Sequence, residues 1–120
     1  NYKDFDMLFM GDAGTAAFEQ LKTKMPVNID VLKVGHHGGP NVVNSEMINH
    51  LSNKISIIST GPNAFGHPNR GTLDILRNTD IYRTDRHNSV KINTDGKSYR
   101  VYTYNPSKHK YILSDRISVF

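Results

Sequence analysis

The chain contains no cysteine. A disulfide scaffold, a thiolate metal site and a thiol nucleophile are thereby excluded. No apolar run approaches the roughly 18 residues that a membrane helix needs, so membrane insertion by this segment is not expected. Also missing are a Walker phosphate loop, a Gly-x-Ser-x-Gly elbow, a dinucleotide-binding glycine fingerprint and a His-Glu-x-x-His helix, each of which would have named a chemistry. There is no internal repeat, low-complexity tract or linker. The first residues, Asn1-Tyr2-Lys3, carry neither an initiator Met nor a signal- or transit-peptide pattern and run directly into an apolar strand. A piece of a longer protein is expected to begin in this way.

What is present fits one domain of 120 residues, long enough to bury roughly 65% of its unfolded-chain surface. With 37% hydrophobic and 22% charged residues, disorder, collagen and coiled coil are disfavoured. Fifteen Lys and Arg against eleven Asp and Glu give a net charge of +4, which suits a polyanion or an anionic surface without identifying one. The positive residues are scattered from Lys22 to Lys110, as surface charge kept for solubility would be.

The periodicity alternates strand and helix. Phe5 to Met10 reads as a strand buried on both faces, and Gly11-Asp12-Ala13-Gly14 breaks it. Thr15 then caps a helix with Ala17, Phe18, Leu21 and Met25 on one face, which Pro26 ends. Ile29 to Val34 is a second strand, interrupted by Gly35-His36-His37-Gly38-Gly39-Pro40. Asn44 or Ser45 opens a second helix. Ile55 to Ser59 is a third strand, followed by the loop Thr60 to Pro68 and a helix over Arg70 to Asn78. Ile81 to Thr84 is a fourth strand. Ser89 to Thr94 and Lys97 to Tyr104 flank Asp95-Gly96, the two-residue signal of a type I′ hairpin. The tail, 105 to 120, is mixed in character.

Such alternation implies an α/β fold with parallel strands and right-handed crossovers. Ligands in such sheets sit beyond the carboxyl ends of the strands. Four polar clusters fall there: Asp12, the His36-His37 pair, Phe65-Gly66-His67 and Asp85-Arg86-His87. Asp12 reads as a metal ligand, a carboxylate able to bind one cation or bridge two, or, more simply, as a helix-start or Asx-turn residue. His36 and His37 are adjacent and framed by glycines, so their side chains diverge; one can ligate a metal while the other faces substrate. The alternative is a polar loop that happens to hold two histidines. His67 precedes Pro68, which restricts its backbone, and reads as a proton shuttle, a phosphate contact or a plain loop residue. His50, His87 and His109 read as surface residues. Asp12 with one or two histidines is too few for a closed metal site, since zinc takes four donors and a catalytic site draws about three of them from protein.

The segments Leu8-Phe9-Met10-Gly11-Asp12-Ala13-Gly14 and Asp30-Val31-Leu32-Lys33-Val34-Gly35-His36-His37-Gly38 resemble the metallo-β-lactamase superfamily, and within it the ComEC-type competence-protein hydrolases. Ile57-Ile58-Ser59-Thr60-Gly61, Phe65-Gly66-His67-Pro68 and Tyr82-Arg83-Thr84-Asp85-Arg86 fit the same subgroup in order and spacing. The likeness covers about residues 5 to 104. It implies an αββα sandwich of which residues 1–120 form the carboxyl-terminal half, one mixed sheet with helices on one face and a terminal β-hairpin. The His-x-His-x-Asp-His motif of the first half is absent. It further implies a two-metal hydrolase of phosphoesters, those of nucleic acid among them, in which zinc (with manganese as an alternative) activates the attacking hydroxide. Asp12 would bridge the metals, His37 would ligate one, and His36 and His67 would serve substrate or leaving group. The family's serine position is Gly39 here, and His87-Asn88 replaces its Asp-Gly turn. The 120 residues alone are expected to hold metal weakly and to lack activity. The rival reading is a non-catalytic module for DNA uptake or protein interaction. The resemblance also implies a location outside the cytoplasm or at a membrane through a parent chain, with a cytoplasmic one as the alternative because other members of the group are soluble. Lacking its other half, the sheet face bearing Phe5, Met7 and Phe9 is expected to self-associate or to be covered by the Tyr111 to Val119 tail.

Overall fold

The computed structural model describes residues 1–119. It is a mixed α/β architecture of two sheets. The first is four-stranded and parallel, in the order β1 (Met7–Phe9), β2 (Val31–Lys33), β3 (Ile55–Ile58) and β4 (Asp80–Arg83). Three crossovers carry α1 (Thr15–Leu21), α2 (Ser45–Leu51) and α3 (Arg70–Ile75). Sequential order with right-handed connections places all three helices on one face. There Phe18, Met47, Leu51 and Leu76 pack on Leu32, Val34 and Ile58.

The second sheet is three-stranded and antiparallel: β5 (Val90–Thr94), β6 (Ser98–Asn105) and β7 (Lys110–Ser118). The single mixed sheet expected from the sequence is therefore two sheets, and the tail is a full strand. Tyr99 and Val101 of β6 lie against Phe5, Val31, Ile55, Ile57 and Tyr82, with Ile92, Ile117 and Val119 around them. The face expected to drive self-association is thus covered from within the chain, mainly by β6. Phe9 is the exception, 69% exposed on the edge strand.

Other local expectations shift for identifiable reasons. β1 is an edge strand with half-buried Met7 and Leu8, so its apolar run does not mean burial on both faces. Gly14, not Thr15, is the N-cap of α1 and makes no side-chain cap; the Thr15 hydroxyl instead donates to Asn41 O at 3.2 Å. The helix ends at Leu21, short of Met25. Asn44 caps α2, its Oδ1 accepting from Met47 N at 2.9 Å. The Asp95-Gly96 turn is not type I′, because Asp95 keeps a negative φ and four residues separate the paired Thr94 and Tyr99. Asp95 Oδ1 accepts instead from the amides of Lys97 and Ser98, each at 2.8 Å. Among the described residues no helix is long and apolar enough to cross a membrane.

Candidate functional site

Because the four strands of the first sheet are parallel, their carboxyl ends form one rim. The loops holding Asp12, His36-His37, Phe65 to His67 and Asp85 to His87 all leave from it. Backbone hydrogen bonds tie these loops to one another. His36 N donates to Gly11 O at 2.9 Å, and Asn69 N donates to Gly38 O at 2.8 Å. Thr60 N donates to the Thr84 hydroxyl, which donates back to Thr60 O, both at 2.8 Å.

Two glycines let the loops come this close. A Cβ on Gly35 would stand 2.5 Å from Ala13 O and 3.0 Å from Gly11 O. A Cβ on Gly39 would stand 2.9 Å from Cε1 of His67. A larger side chain at that position would press on this imidazole.

His36 and His37 lie in a single 3-10 turn, His36–Gly38, and both adopt left-handed φ, +45° and +55°. Consecutive left-handed non-glycine residues are costly, and such strain gathers at functional sites. Both side chains are exposed, but they do not diverge as expected of adjacent residues at a strand end: in this tight turn their rings meet edge-on, centroids 6.3 Å apart at 76°. The His36 ring packs edge-on to His67, centroids 5.8 Å apart. His37 Nδ1 lies 2.9 Å from Ser59 O. A carbonyl only accepts, so Nδ1 carries a proton, and it is Nε2 whose lone pair is available in the uncharged form of the ring.

His67 is half-buried and stacks with Phe65 at 5.7 Å and 22°. Its Nδ1 is buried without a partner, an orphan that native structures seldom tolerate without a use. Phe65 is 83% exposed. His37, Thr60, Asn63, Phe65 and His67 enclose a recess of about 210 Å³. A larger hollow of about 470 Å³ lies between α2 and α3, lined by Ser45, Asn49, Asp74 and Arg77 among others. It holds no histidine and none of the rim loops, so the smaller recess is the candidate site.

Asp12 is exposed and takes no hydrogen bond among the described residues. Its loop abuts His36 rather than the recess. Asp85 is committed elsewhere, gripped by Arg83 through Nε–Oδ1 at 3.0 Å and Nη2–Oδ2 at 2.7 Å. That hydrogen-bonded pair holds the Asp85 carboxyl below its ordinary range. His87, read as a surface residue, is half-buried; its Nδ1 accepts from Arg83 N at 2.8 Å. Lys33, at the end of β2 just ahead of the His36-His37 loop, has its ammonium pKa lowered by burial. Among the described residues no three His, Asp or Glu come close enough together to hold a metal ion.

Sequence reasoning missed the residue that organises the recess. The Asn63 amide donates to Gly61 O at 2.9 Å and His67 O at 2.8 Å, while its Oδ1 accepts from Phe65 N and His67 N at 3.1 and 3.0 Å. An asparagine between two loop motifs was the available signal, since its side chain mimics a backbone turn. The Ser59 carbonyl that orients His37 has no signature in side-chain identity.

No family model matches the chain, and no solved structure matches it. Over 88 residues it is 33% identical to ComE operon protein 3 of Bacillus subtilis (strain 168), covering 70% of this chain and 11% of that protein. Along that stretch the chain is related to this ComE operon protein, and it spans about a ninth of that protein's length.

Proposed function

We propose that residues 1–120 form the carboxyl-terminal half of a metallo-β-lactamase-like hydrolase domain of the ComEC type. The complete domain would cleave phosphoester bonds, those of nucleic acid first among them. The observation that carries the reading is His37. Its Nδ1 is fixed on Ser59 O, which leaves the Nε2 lone pair free beside a recess walled by His67. That arrangement suits a ligand or a base and serves no packing purpose. The kinship with ComE operon protein 3 supports the DNA-uptake context.

Zinc is the group the resemblance implies, and these residues by themselves do not make its site. Asp12 and His37 are two donors where a catalytic zinc takes about three from protein. No group of three candidate ligands stands together among the described residues. Within the chain, the roles that follow from geometry concern protons and positioning. His36 and His67, rings 5.8 Å apart, would neutralise a phosphate oxygen or return a proton to a leaving group. Asn63 holds the loop that carries His67.

The test is a phosphodiesterase assay with zinc or manganese supplied. The 120-residue chain should hydrolyse neither DNA nor a simple phosphodiester. A chain extended upstream should do so, and Asp12→Ala or His37→Ala should abolish its turnover. An extended chain that binds DNA without turnover would establish the rival, a non-catalytic uptake module.

A further inference from the structure

The antiparallel sheet has two dissimilar faces. Tyr99 and Val101 point into the core, so Arg100, Tyr102 and Tyr104 point the other way. Cross-strand register sets Lys91 beside Tyr102, Arg100 beside Arg116, and Tyr104 beside Tyr111. Side-chain geometry confirms a shared face. Lys91 Nζ sits 4.7 Å from the Tyr102 centroid and 4.5 Å from that of Tyr111, and Tyr104 meets Tyr111 edge-on at 5.3 Å.

This face carries cations without acids. The one acidic residue in the three strands, Asp115, pairs with Val101 and so faces inward. The nearest loop carboxylate, Asp95, is engaged by the amides of Lys97 and Ser98. Arg100 and Arg116 stand directly opposite each other, both exposed, with no ion pair among the described residues. Like charges directly opposite across strands destabilise a sheet, so the pairing is one that an anion between them would relieve.

We propose that this outer face binds single-stranded nucleic acid, with bases on the tyrosine rings and phosphates on Lys91, Arg100 and Arg116. The chemistry selects this ligand over others. Exposed rings interleaved with cations suit unstacked bases, whose faces a duplex hides. From the arginine pair to the Tyr104–Tyr111 pair is four residues along β6, about 13 Å, room for two or three bases as on other sheet platforms. A lipid surface would require an apolar face, and Leu113 alone supplies one here. The proposal shares with the hydrolase reading only the chemical class of the ligand, so each can fail without the other.

The experiment is fluorescence anisotropy of labelled dT20 with the 120-residue chain, against a 20-base-pair duplex, polyphosphate and an acidic peptide. The chain should bind dT20 more tightly than any of these. Tyr111→Ala should weaken dT20 binding about tenfold. Arg100→Ala with Arg116→Ala should reduce the log-affinity against log-salt slope by about 1.4, for two lost single-strand phosphate contacts. Thermal melts of the variants verify that the fold is intact. Polyphosphate or acidic peptide binding as tightly as dT20, or a Tyr111→Ala chain that folds and binds normally, would overturn the proposal. In the extended chain Tyr111→Ala should leave turnover of a small phosphodiester unchanged. Lost dT20 binding with retained turnover follows if the sheet face is as described; dT20 binding by a chain that never turns over would sink the hydrolase reading alone.

Discussion

At the amino ends of the parallel strands Asp6, Asp30 and Lys54 stand in register, one residue ahead of β1, β2 and β3. Their backbones continue the ladder: Asp30 N to Asp6 O at 3.0 Å, Lys54 N to Asp30 O at 3.1 Å, Asp80 N to Lys54 O at 2.9 Å. Asp30 is 5% exposed and its Oδ2 accepts from Asp6 N at 2.9 Å. Burial raises its carboxyl pKa, against the pull of that hydrogen bond and of Lys54. At the carboxyl ends the polar residues stand open. Asp12, His36 and His37 are exposed, the backbone is strained, and a buried His67 nitrogen goes unpartnered. One end uses its polar residues to extend the parallel ladder, and Lys54 Nζ also donates across to Ser118 O of the second sheet at 3.4 Å. The other holds them in reserve, as a rim meant for a ligand would. The difference teaches where a substitution acts on stability and where it acts on function.

The largest effect should come from Gly35→Ala. Its new Cβ would meet two backbone oxygens of the Gly11 to Gly14 turn within 3.0 Å, and neither can swing aside as a side chain would. The cost should be roughly 3 kcal/mol, the upper range for overpacking, read as a lower urea midpoint. Amide exchange should rise in the Asp12 and His36 loops before the core strands. If Gly35→Ala costs nothing, the rim loops are not held together as described and the contrast between the ends fails.

Tyr99→Phe probes the closed end. Tyr99 is fully buried, and its hydroxyl has no hydrogen-bond partner. Burial, then the charges of Asp30, Asp115 and Asp80, push its ionisation well above the usual tyrosine range. Removing a buried hydroxyl that makes no bond should stabilise the chain by about 1 kcal/mol, seen as a higher urea midpoint at constant slope. A destabilised Tyr99→Phe would reveal a bond at that hydroxyl and a different ordering of the closed end.

The strand and helix alternation was legible because each strand's apolar run and each helix's spacing agree with the parallel order they build. The shared rim followed from that order without any knowledge of contacts. The second sheet was less legible. A bulge between Val101 and Tyr102 shifts the β6–β7 register, so the alternation of the last strand breaks midway and reads as an irregular tail. Phe9 misled in the other direction, since a three-residue edge strand leaves one of its faces to solvent. At the site, the identity of Asp12, His36, His37 and His67 was readable. Their partners were not, because His37 leans on a backbone carbonyl and His67 on a loop that Asn63 ties down.

The smallest effect compares one carboxylate from each end as pH changes. Asp80 begins β4 beside Asp115, and the hydrogen bond between their carboxyls, then burial and repulsion, raise the Asp80 pKa. A raised folded-state carboxyl binds its proton more tightly than the unfolded chain does. Stability from this group is therefore present below the unfolded value of about 3.9, and is lost as pH rises through the folded pKa. Asp85 is the opposite case: Arg83 lowers its pKa, so its contribution is present above the unfolded value and is lost as pH falls through the folded one. Asp80→Asn should accordingly raise the urea midpoint at pH 7 and leave it little changed at pH 3. Asp85→Asn should lower it at pH 7, with the loss shrinking toward pH 2. Asp80 is exposed, so solvent screening keeps its effect under about 1 kcal/mol, and the opposite signs at pH 7 are the decisive readout. Two variants moving the midpoint in the same direction at pH 7 would remove the electrostatic difference between the two ends.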